Sequence, residues 1–412
     1  MLDIKFIKEN PKKVEEAAIS KGYIVDVNKI LKLDNQRISL SKKRDSLRSK
    51  LKIEKKPSQE ELKKLEKLKK ELSVLDTDFN KIETEWKKAM LSVPALPRDD
   101  VKVGKSEAEN EIIKYVGKIS KPSFKPKEHL ELTNEIDTER AAKVSGSRFA
   151  YIKGEVARLE LALINYAFDI LIKEGFVPVF PPVLINRDSM SAMGYLEHGG
   201  ENEIYHLEKD DMFLVGTSEQ SIGPMHKNEI FSENELPFRY VSFSTCFRRE
   251  AGSSGRDTKG IIRVHQFDKI EMFSFTKPED SDKEHDFLLS IEEKIVKGLE
   301  LPYRISKMVT GDLGMPAARK YDIETWMPAQ GKYRETHSTS TCVDFQSRRL
   351  NIKYRDDHGN KFFVHTLNGT AIAIGRMIIA ILENHQQEDG SVLIPKKLQQ
   401  YTNFKEIKND RV

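Results

Sequence analysis

Two segments rich in aromatic and β-branched residues, separated by a polar loop, constrain the fold of this chain most strongly. The segments are 238–250 and 262–275, and the loop between them contains three glycines, Gly252, Gly255 and Gly260. Aromatic and β-branched side chains favour strands, and a polar break with glycines favours a reversal of the chain. The sequence therefore predicts two antiparallel strands joined by a long loop.

Alternation along the two predicted strands gathers charged and aromatic side chains on one face. Arg248 and Glu250 are two apart on the first strand, and the second would present Arg263, His265, Phe267, Lys269, Glu271 and Phe273. At a rise of roughly 3.3 Å per residue, Phe267 and Glu271 would lie about 13 Å apart. An exposed ladder of ion pairs is the alternative interpretation, and the spacing of residues 263, 267 and 271 also fits a helix. Composition and the glycine loop favour strands.

The composition excludes several classes of protein. The chain has 412 residues, of which 38% are hydrophobic and 33% charged, which predicts a soluble protein of roughly two or three domains. No apolar run approaches the roughly 18 residues that span a bilayer, and residues 1–16 carry charges where a signal peptide needs an apolar core. The two cysteines, Cys246 and Cys342, have no metal-ligand spacing. We therefore expect a cytoplasmic protein with no membrane segment.

Heptad spacing of apolar residues dominates the N-terminal quarter. A first helix is predicted from Pro11 to about Gly22. The seam of the next segment contains Ile30, Leu33, Leu40, Leu47 and Leu51, with Arg37 and Arg44 as interruptions. Beyond a short turn at Pro57, a second seam contains Leu68, Leu72, Leu75, Phe79, Ile82, Trp86 and Ala89. Two heptad segments joined by a short turn predict an antiparallel coiled-coil hairpin with arms of roughly 40–50 Å.

Positive charge is concentrated on this hairpin. Residues 41–72 contain 13 Lys/Arg against 6 Asp/Glu, a net charge of +7, whereas the whole chain carries only +4. A basic stripe of this kind is the electrostatic footprint of phosphate binding, with Lys42, Lys43 and Arg44 as candidate contacts. An ordinary solvated coiled coil is the alternative, because lysine is common on exposed helix positions.

The rest of the chain predicts alternating helices and strands. Residues 101–127 read as a polar connection between domains, and Val156, Leu159, Leu163, Tyr166 and Ile170 share one face of a helix that ends at Gly175. The proline-rich segment 176–182 is expected at a sheet edge. Further elements are predicted as a helix over 283–299, strands around 304–309, 321–326, 333–341 and 350–354, and an apolar helix over 371–382.

The motifs in the predicted strand pair 238–275 resemble those of a known enzyme family. Phe247-Arg248-Arg249-Glu250, Gly255-Arg256-Asp257 and the run 263–267 are similar to motif 2 of class II aminoacyl-tRNA synthetases, in the form found in seryl-tRNA synthetases. The similarity extends over nearly the whole chain, with motif 1 at about 155–184, motif 2 at about 238–275 and motif 3 at about 365–384.

This resemblance implies an α+β fold in two domains. Residues 101–412 would form a catalytic domain built on an antiparallel sheet flanked by helices. Residues 1–100 would form a helical tRNA-binding domain with the coiled-coil hairpin. Motif 1 would build a homodimer, as it does in the family.

The resemblance also assigns candidate site residues. Arg248 and Arg376 would be catalytic. ATP would be held by Arg248, Arg249, Glu250, Arg263, Phe267, Glu335, Thr336, His337, Ser338 and Arg376. Serine would be held by Thr217, Ser218, Glu219, Arg248, Glu271, Asn368 and Thr370. Glu335 and Ser338 would bind Mg²⁺, for which carboxylate and hydroxyl oxygens are suitable ligands.

Four positions depart from the family pattern, and two others raise a geometric question. Ser218 stands where the family usually has alanine, His337 replaces a small residue, Thr370 replaces serine and Ala371 replaces glycine. Glu335 and Ser338 would point to opposite faces of a straight strand, so a shared ion requires a bulge or a bridging water.

The implied reaction is the ATP-dependent activation of L-serine to seryl-adenylate and its transfer to the 3′ end of tRNA(Ser). Whether tRNA(Sec) is also charged stays open. One alternative is an enzyme of the same fold that loads an amino acid onto a carrier protein, but such relatives lack the arm. The other is a non-catalytic tRNA-binding paralogue, which predicts loss of Arg248, Glu250 or Arg376. Neither a P-loop nor a dinucleotide-binding glycine motif is present in the sequence.

Overall fold

The computed structural model describes residues 1–52, 58–120, 122–251 and 259–409. The chain divides into two compact units, Met1–Leu96 and Pro97–Val412. The expected turn at Pro57, and the loop residues Gly252, Gly255 and Arg256-Asp257, lie outside the described residues. None of the helices in the described ranges is long and apolar enough to cross a membrane.

The N-terminal unit is helical. The helices in its described residues are α1 (Ile4–Glu9), α2 (Pro11–Ser20), α3 (Val27–Leu51) and α4 (Gln59–Leu91). The Asp26 side chain accepts a hydrogen bond from the Lys29 amide at the start of α3, and Ser58 and Glu61 form a capping box at the start of α4. Apolar residues from the helices and the flanking chain form the core of this unit, namely Leu2, Ile7, Val14, Val27, Ile30, Met90 and Val93.

The predicted coiled-coil hairpin is confirmed, and its two arginines fill the seam. The Arg37 guanidinium lies 4.2 Å from the centre of the Trp86 ring, and that of Arg44 lies 4.0 Å from the Phe79 ring. Arg44 follows Arg37 on α3, whereas its partner Phe79 precedes Trp86 on α4, as an antiparallel pair of helices requires. Each arginine therefore replaces an aliphatic knob with a cation–π contact.

Arg44 differs in placement from its two basic neighbours. Its Nε donates a 2.6 Å hydrogen bond to Asp76 Oδ1, and only 14% of the side chain is exposed. Lys42 and Lys43 are exposed. The Arg44 side chain is therefore engaged inside the hairpin, whereas Lys42 and Lys43 face solvent, and the assignment of all three as tRNA contacts stays a prediction.

The second unit, Pro97–Val412, is organised around a sheet that has eight strands in the described residues. The strands are β1 (Glu111–Val116), β2 (Val177–Val179), β3 (Phe238–Phe247), β4 (Gln266–Thr276), β5 (Tyr303–Lys307), β6 (Arg319–Met327), β7 (Lys332–Val343) and β8 (His365–Ala373). Their order across the sheet is β1-β5-β6-β7-β8-β4-β3-β2. All neighbours are antiparallel except β2 and β3, which are parallel. The prolines of segment 176–182 fit this arrangement, since β2 is an edge strand.

Three helices cover one face of the sheet and leave the other face for the site. They are α5 (Gly154–Lys173), α6 (Ser281–Gly298) and α7 (Ile374–Asn384). Their apolar faces and the inward side chains of β4 and β8 form one buried cluster, which includes Leu159, Ile291, Ile378, Met272 and Leu367. Burial of this cluster is the main favourable contribution to the stability of the unit.

Short elements complete the unit. The short helices are His129–Leu132, Thr138–Ser145, Arg187–Met193, Glu219–Ile222, Phe345–Leu350 and Gln399–Thr402, with 3₁₀ turns at Glu107–Glu109, Gly200–Glu203, Gly223–His226, Glu233–Glu235, Pro278–Asp280 and Thr310–Asp312. Small sheets join Lys353–Arg355 with Lys361–Phe363 and Ile230–Ser232, Met212–Leu214 with Leu184–Asn186 and His206–Leu207, Val392–Leu393 with Glu406–Ile407, and Ile136–Asp137 with Tyr151–Ile152.

Three predicted elements differ from the structure. The expected connection 101–127 contributes the edge strand β1, whose pairing partner lies almost 200 residues away in the sequence. The expected helix over 371–382 begins only at Ile374, because the residues before it continue the central strand β8. The expected strand over 350–354 is split, with a helix ending at Leu350 and a short strand at Lys353–Arg355.

Candidate active site

The centre of the site is the pair of strands β3 and β4. Their register places Phe267 opposite Cys246, Lys269 opposite Ser244 and Glu271 opposite Ser242. Alternation puts Phe267, Lys269 and Glu271 on one face of β4. A cleft of about 70 Å³ lies over this face, and eight of the predicted ATP residues or their backbones line it: Arg248, Glu250, Arg263, Phe267, Glu335, Thr336, Ser338 and Arg376.

The prediction that Arg248 and Glu250 lie on one face of the first strand is wrong, although both residues line the cleft. Strand β3 ends at Phe247, and Glu250 has a φ of 52°, in the left-handed region. The chain therefore turns away from the sheet before Glu250. Likewise Arg263 and His265 precede β4. The amide of Arg248 donates to the His265 carbonyl at 2.9 Å, which ties the two strand ends together.

Arg249 is not brought to the cleft. Its guanidinium lies 5.9 Å from the Tyr205 ring, and its amide donates to the Glu203 carbonyl at 2.9 Å. It is absent from the residues that line the cleft over the described ranges.

Arginines surround the aromatic platform formed by Phe267. Arg248 lies 5.3 Å from the centre of the Phe267 ring and donates from Nε to the Gly216 carbonyl at 3.2 Å. Arg376, from the first turn of α7, donates from Nη1 to the Glu335 carbonyl at 2.9 Å and lies 3.2 Å from Glu335 Oε2. Arg263 Nε lies 3.5 Å from Glu250 Oε2. A planar aromatic base could stack on the Phe267 ring with guanidinium groups around its phosphates.

A β-bulge resolves the question about Glu335 and Ser338. Strand β7 pairs His337 with Ile323 and Glu335 with Glu324, so Thr336 is an extra residue without a partner in the ladder. The extra residue changes the alternation, and both Glu335 and Ser338 line the cleft. Their carboxylate and hydroxyl oxygens fit a hard divalent cation. No group of three or more His, Cys, Asp or Glu side chains in the described ranges could hold a metal, so such an ion would need the phosphates of ATP as further ligands.

The side chains of Thr336 and His337 turn into the protein. The Thr336 hydroxyl interacts with that of Thr325 at 2.8 Å and donates to the Ile323 carbonyl at 3.3 Å. His337 is buried, with Nδ1 2.9 Å from the Thr336 hydroxyl. Burial lowers the pKa of His337 to about 3, so the imidazole is neutral. The His337 side chain packs in the interior, and its assignment to ATP stays a prediction.

Of the predicted serine residues, Arg248 and Thr370 line the cleft, and Thr370 contacts the buried Glu271. The Thr217 hydroxyl is buried and has no hydrogen-bond partner among the described residues. The Glu219 carboxylate accepts from the Tyr195 hydroxyl at 2.5 Å, and Thr370 donates to Glu271 Oε2 at 3.3 Å. Two buried carboxylates and an unused hydroxyl can bind an ammonium and a hydroxyl group of a small ligand.

Ser218 and Asn368 support this pocket from its sides. The Ser218 hydroxyl lies 2.7 Å from that of Ser242, so it is committed to the neighbouring strand. The Asn368 amide donates to Cys342 Sγ at 3.8 Å. Asn368 and Thr370 share a face of β8 by alternation.

The pKa values of Glu219 and Glu335 are shifted in opposite directions. Burial, and then the charge of Glu271, raise the pKa of Glu219 to about 7. Around Glu335, desolvation acts to raise the pKa, but the charges of Arg376, Lys320 and Arg248 outweigh it and hold the pKa at about 2. Glu335 is therefore always ionised in the physiological range, whereas Glu219 exchanges its proton near neutrality.

Sequence reasoning missed three residues of the site. Lys269 carried no assigned role, although alternation placed it between Phe267 and Glu271. Tyr195 lies in a loop with no motif, and nothing in the sequence pairs it with Glu219. Lys320 lies on β6 with its Nζ 3.1 Å from Asp322 Oδ1, and only the pairing of β6 with β7 brings it near Glu335.

A second, more polar basin of about 420 Å³ adjoins the cleft. It shares Arg263, Glu335 and Arg376 with the cleft and extends to Arg304 and Arg334. A ligand that stacks on Phe267 could extend charged groups into this basin.

An antiparallel sheet with one arginine after β3, another at the start of α7 and a base platform between them defines the class II aminoacyl-tRNA synthetases. Consistently, the family model of the tRNA synthetase class II core domain (G, H, P, S and T) matches residues 204–385. The model of the seryl-tRNA synthetase N-terminal domain matches residues 1–97. The chain belongs to the seryl-tRNA synthetase family.

Full-length relatives support this membership. The chain is 45% identical to a serine–tRNA ligase of Dictyoglomus thermophilum, over 99% of each chain. It is 42% identical to a serine–tRNA ligase of Thermodesulfovibrio yellowstonii, over 97% of this chain and 98% of the relative. A solved seryl-tRNA synthetase of Pyrococcus horikoshii, complexed with ATP, matches with a TM-score of 0.91 and 41% identity, over 99% of this chain and all of the other.

Proposed function

We propose that this chain is a serine–tRNA ligase that forms seryl-adenylate from L-serine and ATP and transfers the seryl group to tRNA(Ser). The observation that carries the proposal is the continuity of Phe267, Lys269 and Glu271 along one face of β4. Phe267 lines the cleft as a base platform, and the Glu271 carboxylate follows it on the same face of β4, where it could bind the serine part of an aminoacyl-adenylate.

The site residues suggest how activation would proceed. Adenine would stack on Phe267, with Arg376 on its other side, and Arg248 would bind the α-phosphate and the serine carboxylate. Attack of that carboxylate on the α-phosphorus would release pyrophosphate toward the polar basin. Phosphoryl transfer of this kind depends on positioning and charge stabilisation, which the pre-placed guanidinium groups supply.

Serine selection would rest on the buried pocket. Glu219 and the Thr217 hydroxyl would accept from the ammonium, and Glu271 would accept from the serine hydroxyl. Alanine would leave the buried carboxylate of Glu271 without its partner, which costs a site of this type several orders of magnitude in specificity. Mg²⁺, held by Glu335, Ser338 and the phosphates, would supply neutralisation of the phosphate charge.

The arm would bind tRNA through its exposed lysines. Residues 41–72 carry a net charge of +7, and Lys42, Lys43, Lys63, Lys64, Lys67, Lys69 and Lys70 are exposed on α3 and α4. Contacts with a phosphate backbone would make the affinity strongly dependent on salt.

A homodimer would form through motif 1. Exposed large apolar side chains are concentrated there, with Leu161 60%, Val177 45%, Phe180 75% and Leu184 39% exposed. Phe180 extends this apolar surface by stacking on Phe168 at 6.1 Å. Phe180→Asp should therefore shift the mass measured by light scattering from dimer to monomer, whereas Phe362→Asp, at an exposed phenylalanine elsewhere, should not. We also expect the enzyme to act in the cytoplasm.

The decisive experiment is amino-acid-dependent pyrophosphate exchange, with each of the twenty amino acids, followed by charging of tRNA(Ser). Serine should support exchange without tRNA and charging with it. Exchange with another amino acid in preference to serine, or charging of a carrier protein instead of tRNA, would contradict the proposal.

A further inference from the structure

Lys269 is a buried lysine in the middle of the cleft. It lies on β4 between Phe267 and Glu271 and is 6% exposed. Its Nζ is 2.5 Å from Glu271 Oε2. Lysine is almost never buried unless it is paired, because desolvation of its ammonium is costly. The retention of this cation inside the pocket therefore calls for a role.

The contacts of Glu271 define what the lysine does to it. Lys269 and Thr370 both lie on Oε2, and no contact of Oε1 is seen among the described residues. The carboxylate is thus held at one oxygen, and the other oxygen is available to a ligand in the cleft. A carboxylate with one fixed oxygen loses little rotational freedom when the ligand binds.

A second buried carboxylate shares the pocket. Glu219 is 4% exposed, and the charge of Glu271 acts against its ionisation, while the charges of Lys269 and Arg248 favour it. Two carboxylates this close in a buried site would otherwise share one proton. A protonated carboxyl donates one hydrogen bond, so it is a poor partner for an ammonium group.

We propose that Lys269 is a positioning and specificity-determining residue of the serine pocket, which fixes Oε2 of Glu271 and supplies a positive charge beside Glu271 and Glu219 when the substrate ammonium binds. This inference rests on the proposed function, because it presumes that serine occupies the pocket. Lys269 acts through the two carboxylates and need not touch the reacting atoms.

Several titratable or charged groups face these carboxylates from the surrounding elements. They are Tyr195 from the loop after the helix Arg187–Met193, Arg248 and Cys246 from the end of β3, Cys342 from β7 and Glu292 from α6. Burial raises the pKa of Tyr195, Cys246 and Glu292, so the tyrosine and the cysteine are neutral near pH 7. The cations near Glu219 and Glu271 are Lys269 and Arg248. Arg248 lies beside Phe267, at the end of the cleft proposed for ATP.

Removal of the lysine should move the pH at which serine binds well. The charge of Lys269 favours the ionised form of Glu219, and a nearby opposite charge typically shifts a carboxyl pKa by about 1–3 units. In Lys269→Met, Glu219 should therefore hold its proton to higher pH, and the KM for serine at pH 7 should rise about tenfold or more. The penalty should shrink steadily toward pH 8.5. The KM for ATP should change less than twofold.

The test measures serine-dependent pyrophosphate exchange between pH 6 and 8.5 for the wild type, Lys269→Met, Lys269→Gln and Lys269→Arg. The arginine variant should restore most of the wild-type pH profile, since it retains the charge. Lys307→Met is the matched control, because it removes a lysine paired with Asp100 at 2.7 Å outside the cleft. Thermal unfolding and ATP binding by each variant report whether it is folded.

Each outcome decides the question. A serine KM that rises equally at all pH values, or an ATP KM that rises as much as the serine KM, overturns the proposal and makes Lys269 a structural or phosphate-binding residue. Unchanged serine KM in folded Lys269→Met and Lys269→Gln also overturns it. Failure of the wild type to use serine would instead refute the proposed function, and the two failures are thereby distinct. If both neutral variants unfold while Lys307→Met does not, Lys269 is structural and the proposal fails.

Discussion

Charge reversal on the arm should separate packing from phosphate binding. In Arg44→Glu, the cation–π contact with Phe79 and the hydrogen bond to Asp76 are lost. The former contributes about 1 kcal/mol and the latter about 1.5 kcal/mol, and the new carboxylate repels Asp76. We expect the arm to lose about 3 kcal/mol of local stability.

The double substitution of Lys42 and Lys43 by glutamate should leave the stability of the arm nearly unchanged and weaken tRNA binding. Both side chains are exposed, and exposed substitutions usually change stability by less than about 0.5 kcal/mol. If each lysine contacts one phosphate, the slope of log affinity against log salt should fall by about 2.

The assays are circular dichroism at 222 nm with hydrogen exchange of α3, and tRNA binding over a range of salt. Lys87 and Lys88, exposed near the end of α4 and outside residues 41–72, give a matched control for double charge reversal, whose salt slope should stay at the wild-type value. Serine-dependent pyrophosphate exchange should be unchanged in all three variants. Normal arm stability of Arg44→Glu together with a reduced salt slope would refute the reasoning and make Arg44 a phosphate contact.

Three further predictions concern the cleft. Arg376→Ala should slow adenylate formation by about 2–4 kcal/mol, or roughly 30- to 1000-fold in pyrophosphate exchange, with tRNA affinity unchanged; activity within threefold of wild type would exclude its catalytic role. Glu335→Gln should raise the Mg²⁺ concentration for half-maximal exchange severalfold, and an unchanged Mg²⁺ titration would remove Glu335 from the metal site. The raised pKa of Glu219, about 7, means that its ionised form appears only as pH rises through neutrality, so the KM for serine should fall about tenfold from pH 6 to 8; a flat or rising KM would contradict this.

The elements that the sequence predicted well are those with a local signal. The hairpin α3–α4 follows from a heptad repeat, and β3 and β4 follow from composition around a glycine loop. Strand β1 does contain β-branched and aromatic residues in the segment EIIKYV, but they lie within a polar stretch, and its pairing with β5, almost 200 residues away, is what makes it part of the sheet. The boundary between β8 and α7 was misplaced for a related reason. Residues 371–373 are as apolar as the helix that follows, and only the neighbouring strands determine that they continue the sheet.

The candidate site shows the same division at the scale of single residues. Alternation placed Phe267 and Glu271 on one face, and the structure agrees. A shared ion at Glu335 and Ser338 required a bulge or a bridging water, but no residue type in the sequence indicates that a bulge lies at Thr336. Tyr195 reaches Glu219 across 24 positions of sequence, and such a contact depends on loop geometry that neither propensity nor period encodes.

The arginines show why a count of charges overstates what a chain offers to its ligands. Arg44 is held by Asp76, Arg376 by Glu335 and Arg263 by Glu250. Arg44 is largely buried and stays with its partner, so it contributes geometry to the arm and no free charge. Arg376 and Arg263 lie at the cleft, where a phosphate can compete for their guanidinium groups. Because the carboxylates hold them in place beforehand, ATP bound there would meet oriented donors, and little further entropy would be lost in ordering these side chains. The sign of a residue's charge is readable from sequence, whereas its availability is set by the partner that the fold supplies.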